Sequence, residues 1–401
     1  MLARRCLLLL APLCLVPAFA PAQLPADPSK LAAIAPAMQK FVDAGDLSGA
    51  VTLVGRKDGV VHHEAVGFRD LAAKEPMQKD TLFRIASMTK PITAIGIMIL
   101  ADEGKLSPDD DVAKHLPEFA GQTLSPEKAG GPPRKPARPV KLRDLLAHTA
   151  GLANYPKELA DIYSTRDRTL AETTKAVAAL PLQFEPGSKW SYSNPGIDTL
   201  GRVIEVVSGE SYEAFLQKRV FGPLGMTDTT FYPKPEHMKR VALTYGKDKD
   251  GKLAAGPFGL VGLPANPKHP IPAGGLVSSA ADMAKLYRLM LNGGELDGKR
   301  VLSAKAVAEM TRTQTGDITT GFVPGMSFGY GWAVVKEPKG VTAMLSPGSF
   351  GHGGAFATQG WIDPTRNVFV VLMIQRTGLP NADASPMRQT LQELAVAAVK
   401  K

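Results

Sequence analysis

Strand-like segments occur at both ends of this 401-residue chain, and the segments between them have helical periodicity. Apolar runs at 50–56 and 60–67 flank Lys57-Asp58-Gly59, and an Asp-Gly step between apolar runs is typical of a hairpin. Further runs with strand character lie near the C-terminus, at 330–335, 341–345, 357–362 and 368–375. Because the apolar face of a sheet must be buried, the economical arrangement is one antiparallel sheet assembled from both ends of the chain.

Helical patterns fill the middle of the chain and flank the strands. They cover residues 30–45, 140–148, 169–180, 195–208, 211–221, 280–292, 303–312 and 384–399. The pattern predicts an α/β (α+β) fold, in which helices flank the sheet and a helical lobe is inserted. We expect the α/β lobe at about 30–100 and 315–400, and the mainly helical lobe at about 101–314.

The first residues have the pattern of a secretory signal peptide. Arg4 and Arg5 precede a short apolar run, and Ala20-Pro21-Ala22 is a small-residue cleavage site. We therefore predict a signal peptide over residues 1–22, a single domain over 23–401, and a periplasmic or extracellular location. The apolar run is too short and proline-rich for a membrane span, so no stable membrane insertion is expected after cleavage.

Composition excludes several classes of function. Both cysteines, Cys6 and Cys14, lie in the predicted signal, so the mature chain can use neither a Cys nucleophile nor Cys metal ligands. The net charge is +9, but the basic residues are scattered, apart from the cluster at 134–138, and no aromatic residues alternate with that cluster. We expect no nucleic-acid partner, no metal and no cofactor.

Ser87 and Lys90 form an S-x-x-K pair at the start of a long apolar run. Residues three apart share a face of a helix, so the hydroxyl and the amine would point into the same space. A buried lysine amine has a lowered pKa and can accept a proton, as a serine nucleophile requires. The pattern is weak alone: the segment could simply begin a buried helix, and Ser125 and Lys128 repeat the spacing in a proline-rich loop.

Two further motifs follow in the chain. Tyr192 is the one tyrosine followed two positions later by an asparagine, Asn194. His352-Gly353-Gly354 stands just before a predicted strand, and its glycines would let the strand edge approach a substrate closely.

Taken in order, these motifs resemble the signature of the penicillin-recognising serine hydrolases: S-x-x-K, then Y-x-N, then a K-T-G or H-x-G box. This family includes class C β-lactamases, D-alanyl-D-alanine carboxypeptidases and family VIII carboxylesterases. The resemblance extends over about residues 30–400 and implies the same two-lobed fold. It is strengthened by the stretches LLAHTAGL (145–152), PLGMTDT (223–229), GGLVSSAADMAKL (274–286) and FGYGW (328–332).

The resemblance implies a role for each motif residue. Ser87 would attack a carbonyl, and Lys90 and Tyr192 would move its proton, with the choice of general base left open. Asn194 would hold Lys90 and the substrate carbonyl. The oxyanion hole would be the backbone N–H groups of Ser87 and Ala355.

The third box departs from the lactamase pattern. Where K-T-G carries a lysine and hydroxyl groups, this chain has His352, Gly353, Gly354 and Ala355. A histidine, only partly charged near neutral pH, should bind a substrate carboxylate less well. We therefore expect an exported carboxylesterase acting on a small-molecule ester or amide, with β-lactamase or D-alanyl-D-alanine carboxypeptidase as the alternative. A non-catalytic binding member of the fold is a third possibility, and the oligomeric state is left open.

Other candidate sites have poorer contexts. Ser327 stands in a G-x-S-x-G motif, but a strand pattern follows it where a nucleophile elbow needs a helix. His148 is interpreted as structural. The adjacent His62 and His63 lie in a strand, where neighbouring side chains face opposite ways and do not converge on a metal.

Overall fold

The computed structural model describes residues 26–126, 128, 131–256 and 262–399, so the predicted signal peptide lies outside the described residues. The α-helices are α1 (Pro28–Ala32), α2 (Ile34–Asp43), α3 (Lys90–Asp102), α4 (Val112–His115), α5 (Leu142–Leu146), α6 (Ile162–Thr165), α7 (Leu170–Ala178), α8 (Asn194–Ser208), α9 (Tyr212–Leu216), α10 (Gly222–Leu224), α11 (Pro235–Met238), α12 (Ala280–Leu291), α13 (Ala304–Thr311) and α14 (Pro386–Ala398).

The strands are β1 (Gly49–Arg56), β2 (Gly59–Asp70), β3 (Glu75–Pro76), β4 (Phe83–Arg84), β5 (Tyr245–Lys247), β6 (Leu253–Ala255), β7 (Val277–Ser278), β8 (Glu295–Leu296), β9 (Lys299–Arg300), β10 (Met326–Phe328), β11 (Ala333–Val335), β12 (Phe350–Gly353), β13 (Gln359–Asp363) and β14 (Val368–Met373). Eight of them form one antiparallel sheet in the order β10-β11-β12-β13-β14-β1-β2-β3. Strands β4 and β7, β5 and β6, and β8 and β9 form small two-stranded sheets.

The two ends of the chain meet at the centre of the large sheet. Strand β1 pairs with β14, with Val51 opposite Met373. Because side chains alternate along a strand, the central strands supply two separate cores. Val371 packs in the core that includes Tyr287 of α12, whereas Val370 packs in the core that includes Leu391 of α14. The predicted sheet built from N- and C-terminal strands is confirmed.

Two details of the C-terminal strands were predicted wrongly. Residues 341–345 are not a strand: Gly340–Thr342 form a 3₁₀ turn, and the Thr342 hydroxyl bonds the backbone of Lys339. Such local bonds offer the backbone an alternative to a strand ladder. The His352 box does not precede a strand but lies on one, because His352 and Gly353 belong to β12.

Helix α3 joins the helical lobe to the sheet. Its residues are buried from Lys90 to Leu100, so the helix has no exposed face along that length. A helix that is apolar all round belongs in the interior of a protein. It packs against α8, and this contact sets the position of the S-x-x-K pair relative to the Tyr192 segment. In the described part of the chain, no helix is long and apolar enough to cross a membrane.

Candidate active site

Ser87 lies on a turn rather than within an α-helix. Residues Ala86–Thr89 form a 3₁₀ turn, and α3 follows directly from Lys90. The backbone of Ala86 has a φ of 45°, a left-handed conformation that a residue with a Cβ rarely adopts. Strained backbone of this kind occurs at functional sites, where the surrounding structure holds it in place. Here it presents the Ser87 hydroxyl at the start of a buried helix.

Lys90 contacts the Ser87 hydroxyl directly. Its Nζ atom lies 3.0 Å from Ser87 Oγ and 2.8 Å from the backbone oxygen of Ala273. The side chain is fully buried. Burial lowers the pKa of Lys90 from 10.5 to about 7, against the opposing attraction of the Asp198 carboxylate. The amine is therefore substantially neutral near pH 7 and can accept a proton from Ser87.

The carbonyl that holds Lys90 is itself fixed by a buried acid. The backbone N–H of Ala273 donates to Asp198 at 2.8 Å, and the hydroxyls of Tyr155 and Tyr163 donate to the other oxygen of the same carboxylate at 2.6 Å. Sequence reasoning missed Asp198. An available signal was an aspartate among the buried apolar positions of α8, one helical turn after Asn194.

Tyr192 faces both Ser87 and Lys90. The lysine Nζ lies 4.6 Å from the centroid of the tyrosine ring. Burial raises the pKa of Tyr192, and a hydrogen bond with the Ser87 hydroxyl partly opposes that shift. At neutral pH the phenol is therefore protonated, so it is available to donate a proton. The structure brings the three residues predicted as catalytic into one cluster.

Asn194 is placed nearby but does not hold the lysine. It is the half-buried first residue of α8, whose N-terminus is capped by Ser193. In the described part of the chain, Lys90 donates to Ser87 and Ala273, and Asn194 makes no hydrogen bond to it. The expectation that Asn194 holds Lys90 is thus wrong in this structure, in which the amine bonds the Ala273 carbonyl instead. Its contact with substrate remains a prediction.

His352 lies buried on β12 and faces the aromatic ring of Tyr192 at 6.0 Å between ring centroids. Its Nδ1 lies 2.6 Å from the backbone oxygen of Gly353. A carbonyl can only accept, so Nδ1 carries the proton and Nε2 is a free acceptor. Burial and the nearby charge of Lys90 lower the pKa of His352 to about 4. The expectation of a partly charged histidine near neutral pH is therefore wrong, because the buried ring stays neutral.

The glycines after His352 allow close packing around the Ser87 turn. A Cβ on Gly354 would lie 2.4 Å from the backbone oxygen of Ile85, two residues before Ser87. This approach brings the end of β12 against the nucleophile turn, and the exposed Ala355 follows directly. A Cβ on Gly353 would lie 2.1 Å from an Asp383 oxygen, so Asp383 is a second neighbour that sequence reasoning missed.

The rival serine lies beside hydroxyl groups rather than an amine. Ser327 is buried on β10, and its hydroxyl bonds the hydroxyls of Thr313 and Thr315. Strand β11 follows at Ala333, so the strand–turn–helix context of a nucleophile elbow is missing around Ser327. Ser125, in the loop copy of the motif, contacts the Gln183 amide.

The histidines outside the third box have structural contacts. His148 Nδ1 accepts from the backbone N–H of Ser193 at 3.2 Å, and its ring packs 4.6 Å from that of Tyr192. His148 thus supports the Tyr192 segment. His62 bonds the Thr52 hydroxyl. Among the described residues, no group of three His, Cys, Asp or Glu side chains could hold a metal ion.

Comparison with known proteins gives consistent matches. The family model described as Beta-lactamase matches residues 34–394. Esterase EstB of Burkholderia gladioli is 31% identical over 354 residues, which cover 82% of this chain and 86% of the esterase. Penicillin-binding protein 4 of Amycolatopsis lactamdurans is 31% identical over 303 residues, 75% of this chain and 73% of that protein. The solved structure of EstCE1, a hydrolase with promiscuous acyltransferase activity, has a TM-score of 0.76 at 27% identity and covers 93% of this chain and 99% of its own.

Proposed function

Because the chain belongs to the beta-lactamase family, and its relatives include an esterase, a penicillin-binding protein and a hydrolase, we propose that it is a carboxylesterase that works through an acyl-enzyme on Ser87. The observation that carries the proposal is the 3.0 Å contact between the Ser87 hydroxyl and the buried Lys90 amine, whose pKa is lowered to about 7. A non-catalytic binding protein would have no need of such an activated serine.

The proposed acylation begins with the attack of Ser87 Oγ on the ester carbonyl carbon. Neutral Lys90 accepts the serine proton, and the backbone N–H groups of Ser87 and Ala355 stabilise the negative oxygen that forms. When the carbon–oxygen bond to the alcohol breaks, protonated Tyr192 gives its proton to the leaving oxygen and regains one from Lys90. Water then takes the place of the alcohol and attacks the acyl carbon. Tyr192 accepts the water proton as it passes its own proton to Lys90, and Lys90 returns a proton to Ser87 as the acid leaves.

The third box supports an ester substrate over a lactam or a D-alanine terminus. A substrate carboxylate is best bound by a cation in a sheltered site. His352 is buried and neutral with a pKa of about 4, and its free Nε2 lone pair would repel a carboxylate. An ester without a carboxylate is unaffected by this arrangement. The similarity to esterase EstB supports the same substrate class.

The second candidate is hydrolysis of a penicillin-like amide, favoured by the similarity to penicillin-binding protein 4. Both candidates share the acyl-enzyme on Ser87, so they differ only in the substrate. A panel of p-nitrophenyl esters assayed beside the lactam nitrocefin separates them: the proposal predicts fast ester cleavage and slow nitrocefin cleavage at pH 7–8.

Labelling with a fluorophosphonate separates an enzyme from a binding protein. The wild type should be modified at Ser87, and Ser87→Ala should not be modified. An unlabelled wild type, or label retained in Ser87→Ala, would contradict the proposed nucleophile.

We also propose that the enzyme is exported, on the strength of the signal-like pattern of residues 1–22. Mass spectrometry of the mature protein after expression in a bacterial host should show removal of that segment. An intact N-terminus in the cytoplasmic fraction would contradict export.

A further inference from the structure

Three aromatic side chains line the site on the side of Tyr192, and we call Trp190, Phe322 and Phe328 the aromatic wall. The Phe322 ring meets the Tyr192 ring edge-on, with 5.0 Å between centroids. Trp190 lies 5.9 Å from Phe322 and 5.6 Å from Phe328. The wall is therefore continuous and in contact with a residue of the proposed proton path.

Phe322 is the exposed member of the wall. It is 49% exposed, whereas Phe328 is buried. A phenyl ring held half in water beside a reactive group gains stability when a ligand covers it, because apolar area leaves water. Part of the substrate should therefore cover the exposed face of Phe322.

A narrow apolar cavity lies beside Phe322 and reaches the third box. It is lined by Phe322, Val323, Met326, Phe328, His352 and Gly353, among others. Its open volume is about 20 Å³, room for about one water molecule. A large group therefore cannot enter this cavity, and would have to lie against the exposed face of Phe322 instead.

The proton path decides which part of the ester lies there. A proton donor must come within about 2.6–3.2 Å of the atom that it protonates. In the proposed mechanism Tyr192 protonates the leaving oxygen, so that oxygen lies beside the Tyr192 hydroxyl. The alcohol carbons attached to it then lie close to the tyrosine, whose ring is in contact with Phe322.

We propose that the aromatic wall binds the alcohol part of the ester and that Phe322 selects esters of aromatic or bulky apolar alcohols. The inference depends on the proposed esterase function. An aromatic alcohol would cover Phe322 and meet the wall edge-to-face, a geometry that adds to the gain from burial. A small alcohol such as ethanol would leave Phe322 in water.

The proposal has a kinetic signature, because the alcohol leaves before the acyl-enzyme is hydrolysed. The parameter kcat/KM, which reports acylation, should depend on the alcohol. The deacylation rate should not, since the same acyl-enzyme forms from every ester of one acid. Contacts to the alcohol are therefore separable from contacts to the acyl chain.

The test measures kcat/KM for ethyl butyrate and benzyl butyrate with wild type and Phe322→Ala, with Phe68→Ala as the matched control. Phe68 is a 38% exposed phenylalanine on β2, and three strands separate β2 from β12. The wild type should prefer the benzyl ester by roughly tenfold, and Phe322→Ala should lose most of that preference. Phe68→Ala should retain the wild-type preference.

A second series locates the contact on the substrate. With p-nitrophenyl acetate, butyrate and hexanoate the alcohol is constant, so Phe322→Ala should leave the relative rates of the three esters unchanged. A changed acyl preference with an unchanged benzyl-to-ethyl ratio would overturn the proposal, as would a wild type without the benzyl preference. A wild type that hydrolyses none of these esters would instead show that the esterase function itself is wrong.

Discussion

Two regions of this protein present a serine within a short motif, and only the region around Ser87 places an amine beside the serine hydroxyl. The turn at Ser87 places the hydroxyl 3.0 Å from the Lys90 amine. The strand at Ser327 surrounds its hydroxyl with the hydroxyls of Thr313 and Thr315. An amine with a pKa of about 7 can take a proton from serine, whereas a threonine hydroxyl is no more basic than the serine itself.

The difference shows that the reactivity of a serine in such a motif depends on which side chains the fold packs against its hydroxyl. At Ser87 a strained backbone and a fully buried lysine favour the reactivity that we propose. At Ser327 the hydroxyl bonds two threonine hydroxyls. We therefore propose that the first region serves catalysis and that the second serves stability.

The largest test of this comparison removes each serine in turn. Ser87→Ala should lower kcat/KM for p-nitrophenyl butyrate by more than about 10⁴-fold, because the nucleophile is lost. Ser327→Ala and Ser125→Ala should stay near the wild-type rate. Inactivity of a normally folded Ser327→Ala protein would reverse the comparison.

The next test replaces the side chains that contact each serine hydroxyl. Lys90→Met and Tyr192→Phe should each lower kcat/KM by about 10²–10⁴-fold, the usual loss of a general acid or base. Because the two residues share one proton path, the double variant should lose far less than the product of the single losses.

The threonines behind Ser327 are the matched controls for that test. Thr313→Val and Thr315→Val should leave the rate within a few-fold of wild type. If the double variant of Lys90 and Tyr192 lost the full product of the two single losses in kcat/KM, the two residues would act separately.

A smaller effect is expected from restoring a cation to the third box. His352→Lys should raise nitrocefin activity relative to p-nitrophenyl butyrate by about ten- to a hundredfold, since a charge-assisted hydrogen bond contributes about 1.5–3 kcal/mol. His352→Met is the uncharged control. A threonine at Gly353 is left out of this variant, because its Cβ would lie 2.1 Å from an Asp383 side-chain oxygen and would displace that side chain. An unchanged ratio in His352→Lys would show that the box does not set the substrate class.

The pH dependence should come from Lys90 and not from His352. Below its pKa of about 7, Lys90 is protonated and cannot accept a proton, so kcat/KM should fall by about tenfold between pH 8 and pH 6. His352, with a pKa of about 4, stays neutral over this range. His352→Met should therefore keep the same midpoint, and the nitrocefin-to-butyrate ratio of the wild type should not vary with pH. A midpoint that disappears in His352→Met would assign the titration to the histidine.

The smallest expected effect distinguishes the two serines by stability. Ser327→Ala should lower the free energy of unfolding by about 1 kcal/mol, because it removes the hydrogen bonds between the Ser327 hydroxyl and the hydroxyls of Thr313 and Thr315. Ser87→Ala should leave that free energy unchanged or raise it, since reactive sites are not optimised for stability. Urea denaturation of the two variants measures both values. A larger loss in Ser87→Ala than in Ser327→Ala would contradict the division between chemistry and stability.

Much of the candidate site was predictable because its determinants are local. Ser87 and Lys90 are three residues apart, so one turn of chain brings them together whatever the rest of the protein does. The apolar run after them predicted a buried helix, and α3 is buried over that run. The strand that follows Ser327 was likewise predicted from its apolar pattern, and β11 lies there.

The rest of the site depends on contacts between distant segments. The Ala273 carbonyl that holds Lys90 lies 183 residues further along the chain. Asp198, Asp383 and Phe322 are ordinary residues in their own segments, and only packing places them at the site. Asp198 stands out only as a charged residue among the apolar positions of α8. No local pattern marks Asp383 or Phe322, because their roles depend on which neighbours the fold supplies.

The sequence by itself determined the sheet built from both ends, the buried helix and the order of the three motifs, since apolar periodicity and short spacings act within a few residues of chain. Only the tertiary structure decided the charge states. Lys90 has a pKa of about 7 and His352 one of about 4 because packing removes both groups from water, and the desolvation of a side chain depends on the whole fold rather than on its neighbours in sequence.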